Sequence, residues 1–121
     1  MPDKSAHIGA ARKNEKFADL ILVHYPDYRE WAVVGYFYSA VHWIEAYLAI
    51  RNVHSFSHKD REYLIKGEPL LRKIDSEYYE LKNQSKRARY SLKSFSDAEI
   101  ADIAQNLLPI KETISDCFNR A

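Results

Sequence analysis

The segment VVGYFYSAVHWIEAYL, residues 33–48, carries the strongest helical pattern in the chain. Its apolar residues recur at steps of three and four, which is the spacing of one face of an α-helix: Val34, Phe37, Val41, Ile44 and Leu48. Val33, Ala40 and Tyr47 widen that face, as expected for a central helix with neighbours on most of its surface. We therefore predict a long central helix from about Tyr28 to Arg51.

The composition favours an all-helical chain. The 121 residues include only three glycines and four prolines, so turns are few and the segments between them are long. This length fits one domain over residues 1–121, with residues 1–5 as a loose terminus. The single cysteine cannot form an intrachain disulfide, and the N-terminal sequence has no apolar stretch typical of a signal peptide or membrane span. We expect a cytoplasmic protein.

Capping signatures and apolar periodicity define the remaining helices. Three pairs are expected to cap helix starts, Asp27 with Glu30, Ser57 with Asp60, and Ser96 with Glu99. The predicted helices run from about 6 to 25, 28 to 51, 58 to 66, 69 to about 90, and 96 to 118 with a kink at Pro109. We expect Phe56 to anchor the loop between the second and third helices. The fold class is all-α, an antiparallel up-and-down bundle of four or five helices.

Two polar features have both a structural and a functional interpretation. The first is a run of positive residues with no acidic residue between Leu81 and Phe95: Lys82, Lys86, Arg87, Arg89 and Lys93. The run is either a solvated helix face with cations near its C-terminal end or a phosphate-binding surface. The phosphate-binding interpretation is considered because the run has one sign in a chain whose net charge is only +1. The second is His42 with Glu45, three residues apart on one helical face. We favour a partly buried hydrogen-bonded pair there over a metal site.

The connection after the central helix holds the residues best suited to catalysis. The sequence lacks a glycine-rich phosphate loop, a Cys and His set at zinc spacing and a Gly-framed serine nucleophile, and we expect no metal or cofactor. Metal-independent RNA cleavage instead needs a base for the 2′-hydroxyl and a cation for the phosphate. His58, Arg51 and Asn52 supply a base, a cation and an orienting amide. His58 occupies a first helical position, where the helix dipole disfavours its protonation.

Arg51-Asn52, followed by five residues and His58, resembles the R-polar-x4–6-H signature of HEPN domains. The segments 35–49, 57–61 and 88–90 are also similar to small bacterial and archaeal HEPN-like proteins. The resemblance covers most of the chain, from about Ala10 to Phe118. It implies that Arg51 stabilises the scissile phosphate, that His58 acts as base or acid, and that Asn52 orients one of them. Further phosphate contacts are expected from Arg61, Lys86, Arg87, Arg89 and, as a minor candidate, His54.

The resemblance implies a homodimer in which two copies of the motif form one RNA cleft. The aromatic residues of the second helix offer a surface for such a dimer. Two functions follow as alternatives. The first is a metal-independent endoribonuclease of the toxin or defence type, which can have an antitoxin or other protein partner. The second is a non-catalytic HEPN-like module that binds RNA, a nucleotide or a protein.

Overall fold

A computed structural model describes residues 2–120, and these residues contain α-helices and one short 3₁₀ turn but no β-strand. The α-helices are α1 Lys4–His24, α2 Glu30–Ile50, α3 His58–Gly67, α4 Pro69–Arg72, α5 Asp75–Tyr90, α6 Asp97–Gln105 and α7 Leu107–Asn119. The 3₁₀ turn covers Pro26–Tyr28. The all-α prediction is confirmed. In the described part of the chain, the helices are too short or too polar to cross a membrane.

Helix α2 is the centre of the fold, as its sequence pattern predicts. It packs along α1 on one side and against α5 and α7 on the others. Four of its six aromatic side chains other than His42 are almost wholly buried, whereas Trp31 is 48 % exposed and Tyr38 is partly buried. The four are Tyr36, Phe37, Trp43 and Tyr47. These four rings fill the core of the monomer, so a dimer surface on this helix would depend on its other residues, such as the exposed Trp31. The homodimer stays a prediction.

The close packing of α1 on α2 depends on Gly35. A methyl group built at this glycine would lie 3.1 Å from the backbone oxygen of Asn14 and 3.2 Å from the Cβ of Ala18. Both distances are shorter than ordinary van der Waals contact. The helices therefore approach at a point where only glycine fits without adjustment.

Several predicted helix ends are wrong. Lys4 and Ser5 belong to α1, because the side chain of Asp3 accepts a hydrogen bond from the backbone N–H of Ala6 and caps the helix. Met1, the first residue of the predicted loose terminus, lies outside the described residues. Asp27 belongs to the 3₁₀ turn and does not cap α2, which starts without a side-chain cap.

Two predicted long helices are each divided. The helix predicted from 69 to 90 breaks at Lys73 and Ile74, and the last helix breaks at Asn106, three residues before Pro109. Proline is tolerated in the first turn of a helix, where its missing N–H has no partner to lose. Pro109 therefore lies near the start of α7 and does not kink a continuous helix. The predicted caps Ser57 and Ser96 are confirmed.

Helix α2 ends in a Schellman motif centred on Asn52. The backbone N–H of Asn52 donates to the carbonyl oxygen of Ala49, and that of Val53 donates to Leu48. Asn52 has a φ of 57°, the left-handed conformation that this motif requires and that asparagine tolerates. The following loop does not use Phe56 as an anchor, because that side chain is 84 % exposed. The prediction for Phe56 is wrong.

Candidate functional site

A buried ion pair joins the central helix to α3. The Nε of Arg61 donates to Oε1 of Glu45 at 2.8 Å, and the two side chains are only 12 % and 9 % exposed. Ser55 also donates to Oε1 of Glu45. The hydroxyl of Tyr78, from α5, lies beside Arg61 and is buried. Arg61 therefore lies between Glu45 of α2 and Tyr78 of α5, and Ser55 holds the carboxylate that binds it.

Arg61 in turn holds His58, one helical turn earlier on α3. Its Nη1 is 2.9 Å from Nδ1 of His58. A guanidinium can only donate hydrogen bonds, so Nδ1 must be the acceptor and a neutral ring carries its proton on Nε2. The contact therefore fixes the tautomer of His58 and disfavours the doubly protonated ring.

The surroundings of His58 also keep the ring neutral. Its centroid lies 5.9 Å from that of Phe37. Partial burial, and then the charges of Arg61 and Arg89, hold the pKa of His58 below its ordinary value. The sequence predicted a neutral His58, and the direction of the shift agrees. The main physical causes, however, are burial and neighbouring cations.

Arg89 connects this histidine to the end of α5. Its Nη1 donates to the hydroxyl of Tyr38 at 3.3 Å, and its guanidinium carbon lies 5.9 Å from the Tyr38 ring centroid and 5.1 Å from that of Tyr90. Phe37 and Tyr38 are themselves in ring contact, with centroids 5.2 Å apart. We call Tyr90, Arg89, Tyr38 and Phe37 the aromatic row, which leads from an exposed ring to the ring of His58.

Arg51 and Asn52 have other partners. The Nε of Arg51 lies 3.5 Å from Oε2 of Glu68, and its guanidinium lies 6.0 Å from the Tyr47 ring centroid. Asn52 is exposed and serves the Schellman motif that ends α2. The arginine in contact with His58 is thus Arg61. The catalytic roles that the resemblance implies for Arg51 and Asn52 stay predictions.

The other residues predicted to bind phosphate are divided between two places. Lys86 and Arg87 are exposed on α5 near Tyr90. His54 is partly buried and lies close enough to His7 to lower the pKa of that residue, although burial is the larger cause. The positive run is also shorter than its sequence suggests, because Lys82 pairs with Glu62 and Lys93 pairs with Glu99.

His42 and Glu45 do not form the pair predicted between them. The Nδ1 of His42 lies 3.0 Å from Nδ1 of His7 in α1, whereas Glu45 binds Arg61 and Ser55. Across residues 2–120, no three His, Cys, Asp or Glu side chains form a group suited to a metal ion.

The sequence analysis missed the structural importance of Glu45, His7, Tyr38 and Tyr78. One signal was available for Glu45, which interrupts the apolar spacing of α2 four residues after Val41 and three before Leu48. A carboxylate on such a face needs a cationic partner, because an unpaired buried charge is very unfavourable. The identity of that partner, Arg61, depends on how α3 folds back.

Comparisons of the chain with models of known protein families, with curated proteins and with solved structures found no match.

Proposed function

We propose that this chain is a HEPN-like, metal-independent endoribonuclease in which His58 is the central catalytic group. The supporting observation is the position of His58: an exposed, neutral imidazole held by Arg61 and close to Arg89. A neutral imidazole can accept a proton near neutral pH, and two guanidinium groups can stabilise a phosphate. These are the functional groups that cleavage through the 2′-hydroxyl requires.

In the proposed reaction the 2′-oxygen of the RNA attacks the adjacent phosphorus as the bond to the 5′-oxygen breaks. His58 accepts the 2′-hydroxyl proton at Nδ1, and the departing 5′-oxygen takes a proton from solvent. For this step Nη1 of Arg61 must leave Nδ1 and bind a phosphate oxygen. The phosphate charge favours that exchange, because a guanidinium binds an anion more strongly than a neutral ring nitrogen.

The proposal gives phosphate stabilisation to different arginines from the one that the resemblance implies. Arg61 and Arg89 stabilise the phosphate, whereas Arg51, engaged with Glu68, is left with a peripheral role. The homodimer and the toxin or defence setting that the resemblance implies remain part of the proposal. A molar mass from light scattering tests the dimer.

A second function, RNA binding without cleavage, is favoured by the hydrogen bond between Arg61 and His58. While that bond is intact, Nδ1 is occupied and Nε2 carries a proton. His58 then acts as a hydrogen-bond donor to phosphate and not as a base. The two functions differ in whether the bound phosphate takes Arg61 away from the ring.

Purified protein incubated in EDTA with a mixed pool of single-stranded and transfer RNA tests the proposal. We expect products with 2′,3′-cyclic phosphate ends, and a loss of at least about 100-fold in His58→Ala, since general bases contribute roughly 10² to 10⁴ in rate. His24→Ala is the matched control, because His24 is an exposed histidine at the end of α1. Equal cleavage by wild type and His58→Ala would contradict the proposal. Binding of RNA without cleavage would favour the second function.

A further inference from the structure

Tyr90 combines strong exposure with a fixed cationic partner. Tyr90 is the last residue of α5 and is 75 % exposed. Arg89 lies 5.1 Å from its ring centroid and is itself held by the hydroxyl of Tyr38. The ring of Tyr90 is therefore supported from the protein side and open to solvent.

Exposed cations lie on the same side of the helix as this ring. Lys86 and Arg87 precede Tyr90 by four and three residues, which places all three on one face of α5. Both cations are exposed. An aromatic ring with an open surface beside two exposed cations is the combination that binds single-stranded nucleic acid, in which bases stack and phosphates lie near positive charge.

We propose that Tyr90 is a base-stacking platform for single-stranded RNA, with Lys86 and Arg87 contacting the backbone phosphates next to the stacked base. The aromatic row links this platform to His58 through packed ring and cation contacts, although Phe37 within it is wholly buried. The inference rests on the proposed function for its biological substrate. Its test, however, measures binding alone.

Stacking requires an unpaired base with an open face. A base inside a double helix already stacks on its neighbours, so the platform selects single strands, loops and ends. It is tolerant of sequence, because every base presents a π-face. The site thus sets which RNA structure is bound, not which sequence.

The test uses a fluorescent single-stranded oligonucleotide with 2′-O-methyl groups throughout, which lacks the 2′-hydroxyl nucleophile. Fluorescence anisotropy gives the dissociation constant for wild type, Tyr90→Ala, Tyr90→Phe and Tyr63→Ala. Tyr63 is the matched control, since it is a tyrosine of equal exposure, 76 %, on the outer side of α3. A second oligonucleotide of the same length and charge carries abasic sites in place of bases.

We expect Tyr90→Ala to weaken binding about 5- to 150-fold, the range for loss of one stacked base. Tyr90→Phe and Tyr63→Ala should stay within about twofold of wild type. On the abasic oligonucleotide, wild type and Tyr90→Ala should bind equally. The inference is overturned if the wild type does not bind the oligonucleotide, if Tyr90→Ala matches wild type, or if it loses equal affinity for both oligonucleotides.

The same data separate the two proposals. Because the oligonucleotide cannot be cleaved, stacking on Tyr90 is measured even if the protein has no ribonuclease activity. Conversely, cleavage that depends on His58 but not on Tyr90 would support the proposed function and overturn this inference.

Discussion

The Nδ1 atoms of His7 and His42 lie 3.0 Å apart, and this contact joins the first turns of α1 to the centre of α2. One ring must donate and the other accept, so the contact needs at least one neutral ring. Burial is the main cause that lowers the pKa of both residues from 6.5, although Glu45 acts in the opposite direction.

This histidine pair predicts a loss of stability in acid. The unfolded chain takes up protons at a higher pH than the folded chain, so the stabilisation is complete above pH 6.5 and is lost as the pH falls below it. We expect the pair to contribute about 1 kcal/mol to the free energy of unfolding, which is the typical net contribution of one hydrogen bond. Urea unfolding between pH 7.5 and 5.5 measures it. His7→Gln with His42→Gln should show a smaller pH dependence, and an unchanged dependence would refute the assignment.

The ion pair of Glu45 with Arg61 predicts a large effect of removing one charge. Glu45→Gln leaves the Arg61 guanidinium buried without its counter-ion and should lower the free energy of unfolding by about 3 kcal/mol. Replacing both residues, as Glu45→Leu with Arg61→Met, should recover much of that loss. Glu15→Gln is the control, because its pair with Lys111 is more exposed and is worth less than about 1 kcal/mol. Equal losses for Glu45→Gln and Glu15→Gln would contradict the prediction.

The contacts of the two arginines predict opposite results in the cleavage assay. Arg61→Lys keeps a charge beside Glu45 but loses the planar fork that reaches His58, and should reduce the rate about 100-fold or more. Arg51→Ala should change the rate less than about threefold. If Arg51→Ala abolished cleavage and Arg61→Lys did not, the role that the HEPN resemblance implies for Arg51 would be correct.

Asn52 allows its structural and chemical roles to be separated. Asn52→Gly suits the left-handed backbone at φ 57° and should leave both stability and cleavage nearly unchanged. Asn52→Val places a β-branched residue in that conformation and should lower stability by about 1 to 2 kcal/mol. A folded Asn52→Gly protein without cleavage would instead show that the amide takes part in the chemistry.

Replacing Gly9 of α1 and Gly35 of α2 by alanine should change the free energy of unfolding in opposite directions. Gly9 has open space around it, so Gly9→Ala should raise the free energy of unfolding by about 0.5 to 1 kcal/mol through helix propensity. Gly35→Ala brings a methyl group against the α1 backbone and should be destabilising. Thermal unfolding of the two variants checks the difference, and a stabilising Gly35→Ala would show that α1 moves aside easily.

The local signals predicted much of the fold. The three- and four-residue spacing in residues 33–48 identified the central helix, whose predicted end lies within one residue of the observed one. Its start, predicted near Tyr28 from the Asp27 cap, lies two residues later at Glu30. Ser57 and Ser96 marked their helix starts, since a side-chain cap depends on only a few consecutive residues. The prediction that Asp27 caps the central helix was wrong because Asp27 lies in a 3₁₀ turn, which the capping pattern does not distinguish from an α-helix start.

The site was predicted only in part for a related reason. His58 was recognised because its position at a helix start is a local property. The sequence analysis named Arg61 only as a further phosphate contact, and its contact with His58 appears in the folded chain. The catalytic role that the resemblance implies for Arg51 stays a prediction.

The sequence by itself determined the helical class and the central helix, because apolar spacing acts within one or two turns of chain. It also predicted the direction in which the pKa of His58 is shifted, but the main causes, burial and the charges of Arg61 and Arg89, come from the folded chain. Only the tertiary structure decided that Glu45 binds Arg61, that His7 meets His42, and that Arg89 lies between Tyr38 and Tyr90. Except for Arg89 with Tyr90, which are neighbours in α5, each of these contacts joins residues from different helices. Their formation depends on how buried polar groups find partners when the helices pack, which no local pattern specifies.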